Sequence, residues 1–488
     1  MNTDSARPAV TELRLSAFKN HRGVTLPIGP LTLLSGESGS GKSSALQAYE
    51  ILSRLGSGEP LARAVGTVAG GAAACIPAGA RPDEQGRRGF RIGCTVDGPV
   101  GPVHLDLAVQ AEPELRIVGE RLTGGGETLL TTALTDPARR AVQAAWHTAG
   151  STPVTRAPLP DDRLGTSLLP LRVAGKTAGQ QLVLAAAEQV VVALRSAFVC
   201  DPRPEVMREA GSGAPPVADV AAAAVATTSV GAAGGDARAR GRAGSRGGAA
   251  GSWGRDGDGE SEEGRLRSSC ENLPAVLERT SRECRRRHAL LVAAVREACA
   301  GPVDGLHAVP RETGGADVGA GAREGAGAGS AGERPTARGA ASGSRGGGPE
   351  GREAQGGVAT RTAQGPGGAR PAPASAGVRA LVDRGALGMM PVEQLGDGEL
   401  RFLALALVLL TGPGVLAMDP VGEIPPAHQQ LTVMADGLDR CMDRRQAREL
   451  VSLAVRMAER GHVRLLGAVG DPSVADGLPG VRVLHLGV

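Results

Sequence analysis

Aromatic side chains are nearly missing from this chain: two tryptophans, one tyrosine and four phenylalanines stand among 488 residues. Set beside 74 glycines and 33 prolines, that scarcity means large parts of the chain cannot build a core. Paired cysteines are missing too. The seven present include no C-x-x-C pair, and the odd count with no metal spacing excludes a disulfide scaffold or zinc site and suits a reduced cytosolic protein. No apolar run is long enough to span a bilayer. The most apolar, 402–410, follows Arg401, stops at Gly412-Pro413, and reads as a buried helix. Residues 1–8 are polar and lack the apolar region of a signal peptide, so a soluble, cytoplasmic protein without a membrane partner is expected. A net charge of +3 is too balanced for a strongly basic nucleic-acid binder, although a local basic groove stays open.

The abundant residues are unevenly spread. Tracts 211–264 and 311–376 are aperiodic Ala/Gly/Arg/Ser repetition, expected to be disordered and inserted at loop tips, where closed folds tolerate them. The segments between them carry order. Leu13 and Leu15 alternate with polar neighbours, and 23–27 is a second short strand; with the strand at Leu31 these open a sheet. From 90 to 134 the period is two, with Val103, Leu105, Leu107 and Val109 facing one way, which predicts an antiparallel sheet with one buried face. Helical spacing follows at 180–197 (Leu182, Ala186, Val190, Val191 and Leu194), with a strand at 197–200. Helices at 272–277 and 288–299 lie between the two tracts. The cluster Arg285-Arg286-Arg287-His288 reads as a solvated helix face before a DNA contact. After 377 come strand 378–382, helix 399–410, the apolar run 414–419 ending in Asp419, helix 438–460, and strands 463–469 and 481–486. Alternating helices and strands imply a parallel sheet covered by helices, and the two chain ends are expected to share it.

The most specific stretch is Gly36-Glu37-Ser38-Gly39-Ser40-Gly41-Lys42-Ser43-Ser44, which fits G-x-x-x-x-G-K-[ST]. A glycine-rich turn in a glycine-rich chain is the plain alternative. The context decides against it: the strand-like Leu31-Thr32-Leu33-Leu34-Ser35 precedes the loop and a helical run, 45–52, follows. Glycines let backbone N–H groups turn inward around phosphate oxygens, and the helix N-terminus adds positive potential there. Lys42 would reach the β and γ phosphates, and the Ser43 hydroxyl would sit on Mg²⁺.

Further stretches resemble a known family. The sequence Leu395-Gly396-Asp397-Gly398-Glu399-Leu400-Arg401, its apolar helix and the run 415–419 with Pro420 look like the signature helix and Walker B strand of ABC-type ATPases. More narrowly, they are similar to the SMC/RecF-like branch often grouped as AAA-type ATP-binding proteins. Residues 13–20, 198–202, 271–277 and 470–473 with 481–486 resemble that group's first strand, middle segments, switch loop and last strand. The resemblance covers both ends and two middle islands, and neither low-complexity tract. It implies an α/β P-loop NTPase: an ABC-like sheet flanked by helices, with an antiparallel β subdomain and two disordered insertions. The expected division is 1–135 (P-loop lobe with the antiparallel subdomain), 136–210 (helical segment and strand), 211–264 (insertion), 265–310 (helical segment), 311–376 (insertion) and 377–488 (signature and Walker B lobe).

The resemblance further implies ATP and Mg²⁺, with Ser43 on the metal; Asp419 joins it there if aligned on the apolar strand, and is the catalytic acid if aligned on Pro420. It implies an ATP-dependent head-to-tail homodimer, in which Gly396, Asp397, Gly398 and Glu399 of one subunit meet the nucleotide of the other. DNA repair, or defence against foreign DNA, is the setting it suggests. Three departures cut against efficient hydrolysis. Gly396 stands where the group has serine; Asp419, between Met418 and Pro420, is the lone acid at the Walker B end, with Glu423 four positions on; and Gly470 replaces a switch-loop histidine. Lost donors cost phosphoryl transfer heavily, because that chemistry is mostly positioning and electrostatics. ATP binding with slow hydrolysis is therefore expected. The alternatives are a non-hydrolysing, nucleotide-gated interaction module and, less favoured by the antiparallel sheet after the loop, a P-loop kinase.

Overall fold

A computed structural model describes residues 7–148, 154–212, 265–310, 377–416 and 430–487. In chain order the first strands are β1 (Ala9–Phe18), β2 (His21–Pro27) and β3 (Leu31–Ser35), followed by helices α1 (Lys42–Gly56) and α2 (Leu61–Ala69). Six further strands run from β4 (Arg88–Asp97) through β5 (Val103–Glu112), β6 (Arg116–Gly124), β7 (Glu127–Ala133) and β8 (Ala141–His147) to β9 (Val154–Pro160). After the short α3 (Gly165–Leu168) come α4 (Ala178–Arg195), β10 (Ala197–Val199) and α5 (Pro204–Ser212). Beyond the first tract lie α6 (Leu273–Glu283), α7 (Arg285–Ala298) and β11 (Gly305–Pro310). The last part holds β12 (Val378–Asp383), β13 (Met389–Pro391), α8 (Asp397–Leu410), β14 (Leu431–Ala435), α9 (Arg444–Glu459), β15 (Val463–Ala468) and β16 (Val481–His485).

These strands form three sheets. Eight are antiparallel, in the order β2-β1-β4-β5-β6-β7-β8-β9. Five are parallel, in the order β10-β14-β15-β3-β16. The small third sheet is β11-β12-β13. The period-two reading of 103–109 holds, since Val103, Leu105, Leu107 and Val109 are buried while His104 and Asp106 are exposed. One expectation fails: β1 and β2 do not join β3, but belong to the antiparallel sheet, which also runs past residue 135 through β8 and β9. Their one-sided alternation suits a half-covered antiparallel sheet, whereas β3 is buried at every position, as a doubly covered parallel strand must be.

The shared sheet of the two chain ends is present, because β3 lies between β15 and β16, with Leu465 opposite Leu31 and Val481 opposite Leu31 on its other side. Successive residues of the parallel strands face different cores. Leu34, Met434 and Leu466 join the core under α1, α4 and the antiparallel sheet; Leu33, Val433 and Leu465 join the one under α8 and α9. Arg464 fastens the two sheets, donating to the carbonyls of Val10 (3.0 Å) and Ile28 (2.9 Å). Apart from the buried Arg401, helix α8 is apolar on every side and buried from Leu400 through Leu410, the condition for a helix in the middle of a core. Residues 311–376 leave at Pro310 and return next to Val378, which are directly paired across β11 and β12, so this tract connects two neighbouring strand ends. Of the tract 211–264 expected to be disordered, Gly211 and Ser212 end α5 instead, and the rest, with 311–376, lies outside the described residues.

The expected strand at 414–419 is not formed where it is described. Residues Pro413–Val415 make a 3-10 turn, and Leu416 has only a single bridge to Leu266. Asp419, with Met418, Pro420 and Glu423, lies outside the described residues. The helix expected from 438 begins at Arg444 instead. Gly437, at φ 58°, turns the chain, and Asp443 caps α9 by accepting the N–H of Gln446 at 2.8 Å.

Candidate functional site

The loop 36–44 joins β3 to α1, in the strand–loop–helix order expected of it. Two of its glycines are there for geometric reasons. Gly36, at φ 136°, would place a Cβ 2.3 Å from the Leu486 carbonyl oxygen, and Gly41, at φ 98°, would place one 2.5 Å from the His21 ring. Either position rejects a side chain on backbone conformation and on space. The loop is also braced from outside: Asn20 Nδ2 donates to the Gly39 carbonyl (2.9 Å), and the buried His21 Nε2 lies 3.0 Å from that of Gly41. Lys42 folds over the loop, its Nζ donating to the carbonyls of Gly36 (2.6 Å) and Glu37 (2.9 Å). The Ser40 hydroxyl is buried with no hydrogen-bond partner among the described residues.

Beside this loop is a cleft of about 690 Å³. Ser38, Gly39, Gly41, Lys42, Ser43 and Ser44 line one side of it. The ends of two parallel strands line it as well: Asp436, Gly437, Asp439 and Arg440 after β14, and Ala468, Val469 and Gly470 at the end of β15. Lys19, Asn20, Ala74, Ile76 and Ala78 belong to the lining too. The site lies where an open α/β sheet places ligands, at the C-terminal ends of its strands. The Asp439 carboxylate accepts N–H bonds from Gly470 (3.0 and 2.9 Å) and Asp471 (2.9 Å), fastening the turn after β14 to the loop after β15.

Asp436, Asp439 and Arg440 were missed by sequence reasoning. Their signal was present, because Leu431-Thr432-Val433-Met434-Ala435 is an apolar run ending in an acid, the same local pattern as 415–419. Only the sheet order shows which run ends beside the loop.

The signature-like residues are brought to a different place. None of Gly396, Asp397, Gly398 and Glu399 lines the cleft. Gly396 and Asp397 are exposed at the start of α8, where Asp397 pairs with Arg208. Glu399 pairs with Arg384 at 3.1 Å. Gly398 is buried, and a Cβ on it would lie 2.3 Å from the carbonyl oxygen of Cys441, in the turn next to Arg440. Arg401, only 2% exposed, ties α8 to the cleft: its guanidinium donates to the carbonyls of Pro202 and Gly437 (2.8 Å). Among the described residues there is no cluster of three or more metal-ligating side chains, and no helix is long and apolar enough to cross a membrane.

No protein-family profile matches the sequence, and no curated protein matches it. Solved structures do. The chain is similar to an Smc head bound to the C-winged helix domain of ScpA, at 10% identity and a TM-score of 0.40, over 96% of this chain and 91% of that one. It is also similar to an Smc head domain with an extended coiled coil, bound to the C-terminal domain of ScpA derived from Pyrococcus furiosus (10% identity, TM-score 0.38, 96% and 91% covered). A third likeness is to the SMC head domain from Thermotoga maritima (9% identity, TM-score 0.35, 97% and 94% covered). At such identities and TM-scores, a functional reading has to rest on this chain's own residues.

Proposed function

We propose that this chain binds ATP with Mg²⁺ in the cleft beside loop 36–44 and hydrolyses it slowly. The observation that carries the reading is the meeting in one cleft of Lys42, Ser43 and Ser44 with Asp436, the acid at the end of β14. The glycine-rich loop and the α1 N-terminus favour phosphate there. Lys42 would exchange two loop carbonyls for phosphate oxygens. The Ser43 hydroxyl and Asp436 carboxylate are hard oxygen donors, which suits Mg²⁺, an ion that keeps water and phosphate oxygens as its remaining ligands. When bound, that ion supplies neutralisation of the phosphate charge. Asp436 takes the acid role here; Asp419, proposed from the sequence, is its competitor.

Slow turnover follows from what faces the phosphates. Gly470 brings no side chain, and Asp439 already accepts two backbone N–H groups. The exposed Gly396 and Asp397, outside the cleft, support a second element of the reading, a head-to-tail dimer that brings them to a partner's nucleotide. Exposed Leu387 (78%) and Met389 (48%) support it as well, since Arg384 beside them is tied to Glu399. A connection to DNA repair or defence rests on the sequence resemblance alone, and is tested by adding duplex DNA to the hydrolysis assay.

The deciding experiment is equilibrium binding of MgATP together with single-turnover hydrolysis. Lys42→Ala is expected to abolish both, and Asp436→Asn to suppress hydrolysis while binding persists. Normal turnover in Asp436→Asn that is lost in Asp419→Asn would return the acid role to Asp419. Binding without any turnover by the unaltered protein would favour the non-hydrolysing interaction module. Dimerisation on a sizing column with MgATP tests the second element.

A further inference from the structure

Three cations line the cleft, and two of them are engaged. Lys19 Nζ donates to Gln47 Oε1 at 2.6 Å, and Lys42 to the loop carbonyls. The third, Arg440, has an exposed guanidinium with no hydrogen bond or ion pair to any described residue. Its natural partner would be the adjoining Asp439, but that carboxylate is taken by the N–H groups of Gly470 and Asp471. The Arg440 side chain lies back over Gly437, its Nε 2.9 Å from where a Cβ on that residue would be. The turn that carries it is held on both flanks. Arg401 grips the Gly437 carbonyl from the α8 side, and the Asp439 contacts grip the loop after β15. A fixed turn thus presents one unengaged guanidinium in the lining of the cleft that also holds Lys42, Ser43 and Gly470, the last of which offers no side chain.

We propose that Arg440 contacts the terminal phosphate of the nucleoside triphosphate held by loop 36–44, and so makes the site prefer triphosphate over diphosphate. The proposal rests on the nucleotide reading above. The guanidinium is always charged, and its planar fork matches two phosphate oxygens at once, which a lysine cannot do. Such a contact from the same chain would partly offset Asp436 and Asp439, whose charges oppose a third phosphate. An exposed arginine that is merely solvated would be indifferent to how many phosphates are bound.

Calorimetric titration of the full-length protein with MgATPγS and MgADP separates these cases. Arg440→Ala is expected to weaken MgATPγS by about 10- to 100-fold, the usual range for losing a charged hydrogen-bond donor, and to leave MgADP within about twofold. Arg440→Lys should retain part of the preference. If Arg440→Ala weakens both nucleotides equally, or neither, Arg440 does not read the terminal phosphate, while the loop reading stands. If the unaltered protein binds neither nucleotide, the loop reading falls and takes this proposal with it.

Discussion

Gly398→Ala separates two roles for one residue. If Gly398 acts only in a partner's nucleotide site, adding a methyl group leaves the isolated subunit unchanged. The packing says otherwise. The new Cβ would lie 2.3 Å from the Cys441 carbonyl oxygen and 3.0 Å from Gln446 Oε1. The first distance is about 0.7 Å short of the 3.0 Å below which real Cβ atoms are essentially never found, and the obstacle is backbone, which cannot rotate away. Overpacking of this kind costs about 1–3 kcal/mol. Alanine's better helix propensity returns at most about 1 kcal/mol, and less in a first turn. The balance is a loss of about 1–2 kcal/mol, with the strain falling on the turn that carries Asp439 and Arg440. Urea unfolding should show a lower midpoint at unchanged slope. MgADP binding, measured at a concentration where the protein is monomeric, should weaken too. Wild-type stability together with wild-type MgADP affinity in the monomer would refute the packing argument and leave Gly398 to a partner subunit.

Two further outcomes follow from the buried groups. Arg401→Met leaves the buried Pro202 carbonyl unpaired, at about 1–3 kcal/mol, and takes one of two donors from the Gly437 carbonyl, which keeps the Arg440 N–H at 3.0 Å, so about 2 kcal/mol of stability should go. Lysine should not rescue it, because one ammonium lacks the fork that spans both carbonyls; a loss under about 1 kcal/mol in urea unfolding would contradict this. Burial pushes the thiols of Cys94 and Cys299 up to about 12 and that of Cys75 up to about 11, from an ordinary 9.0. The folded chain therefore keeps protons that the unfolded chain loses, so stability is whole below about pH 9 and falls as pH rises from there towards 11–12. The slope is at most about 1.4 kcal/mol per pH unit for each thiol. Unfolding midpoints at pH 8 and 10.5 test it, Cys94→Ala should flatten the fall, and a flat profile in the unaltered protein would dismiss the cause.

Local patterns carried much of what could be read without a structure. Loop 36–44 declares itself because its glycines, lysine and serine, and the strand and helix around them, are all neighbours in sequence. The buried face of β5 is legible because a strand's side chains alternate whatever lies across the sheet. Helix α8 is legible because only a core accommodates the uninterrupted apolar run 402–410. What tertiary structure alone decided is which distant pieces meet. Residues 415–419 and 431–436 are both apolar runs closed by an aspartate, and nothing local ranks them. The parallel pairing of β14 with β15, and of β15 with β3, carries Asp436 to the phosphate loop, and no residue within either run encodes that neighbourhood. The same holds for β1 and β2, which leave the strand that follows them for another sheet. It holds also for Gly398, whose role turns on a carbonyl oxygen 43 positions further along the chain. Sheet order and close approach depend on long-range packing of many residues at once, and a pattern read one window at a time does not contain them.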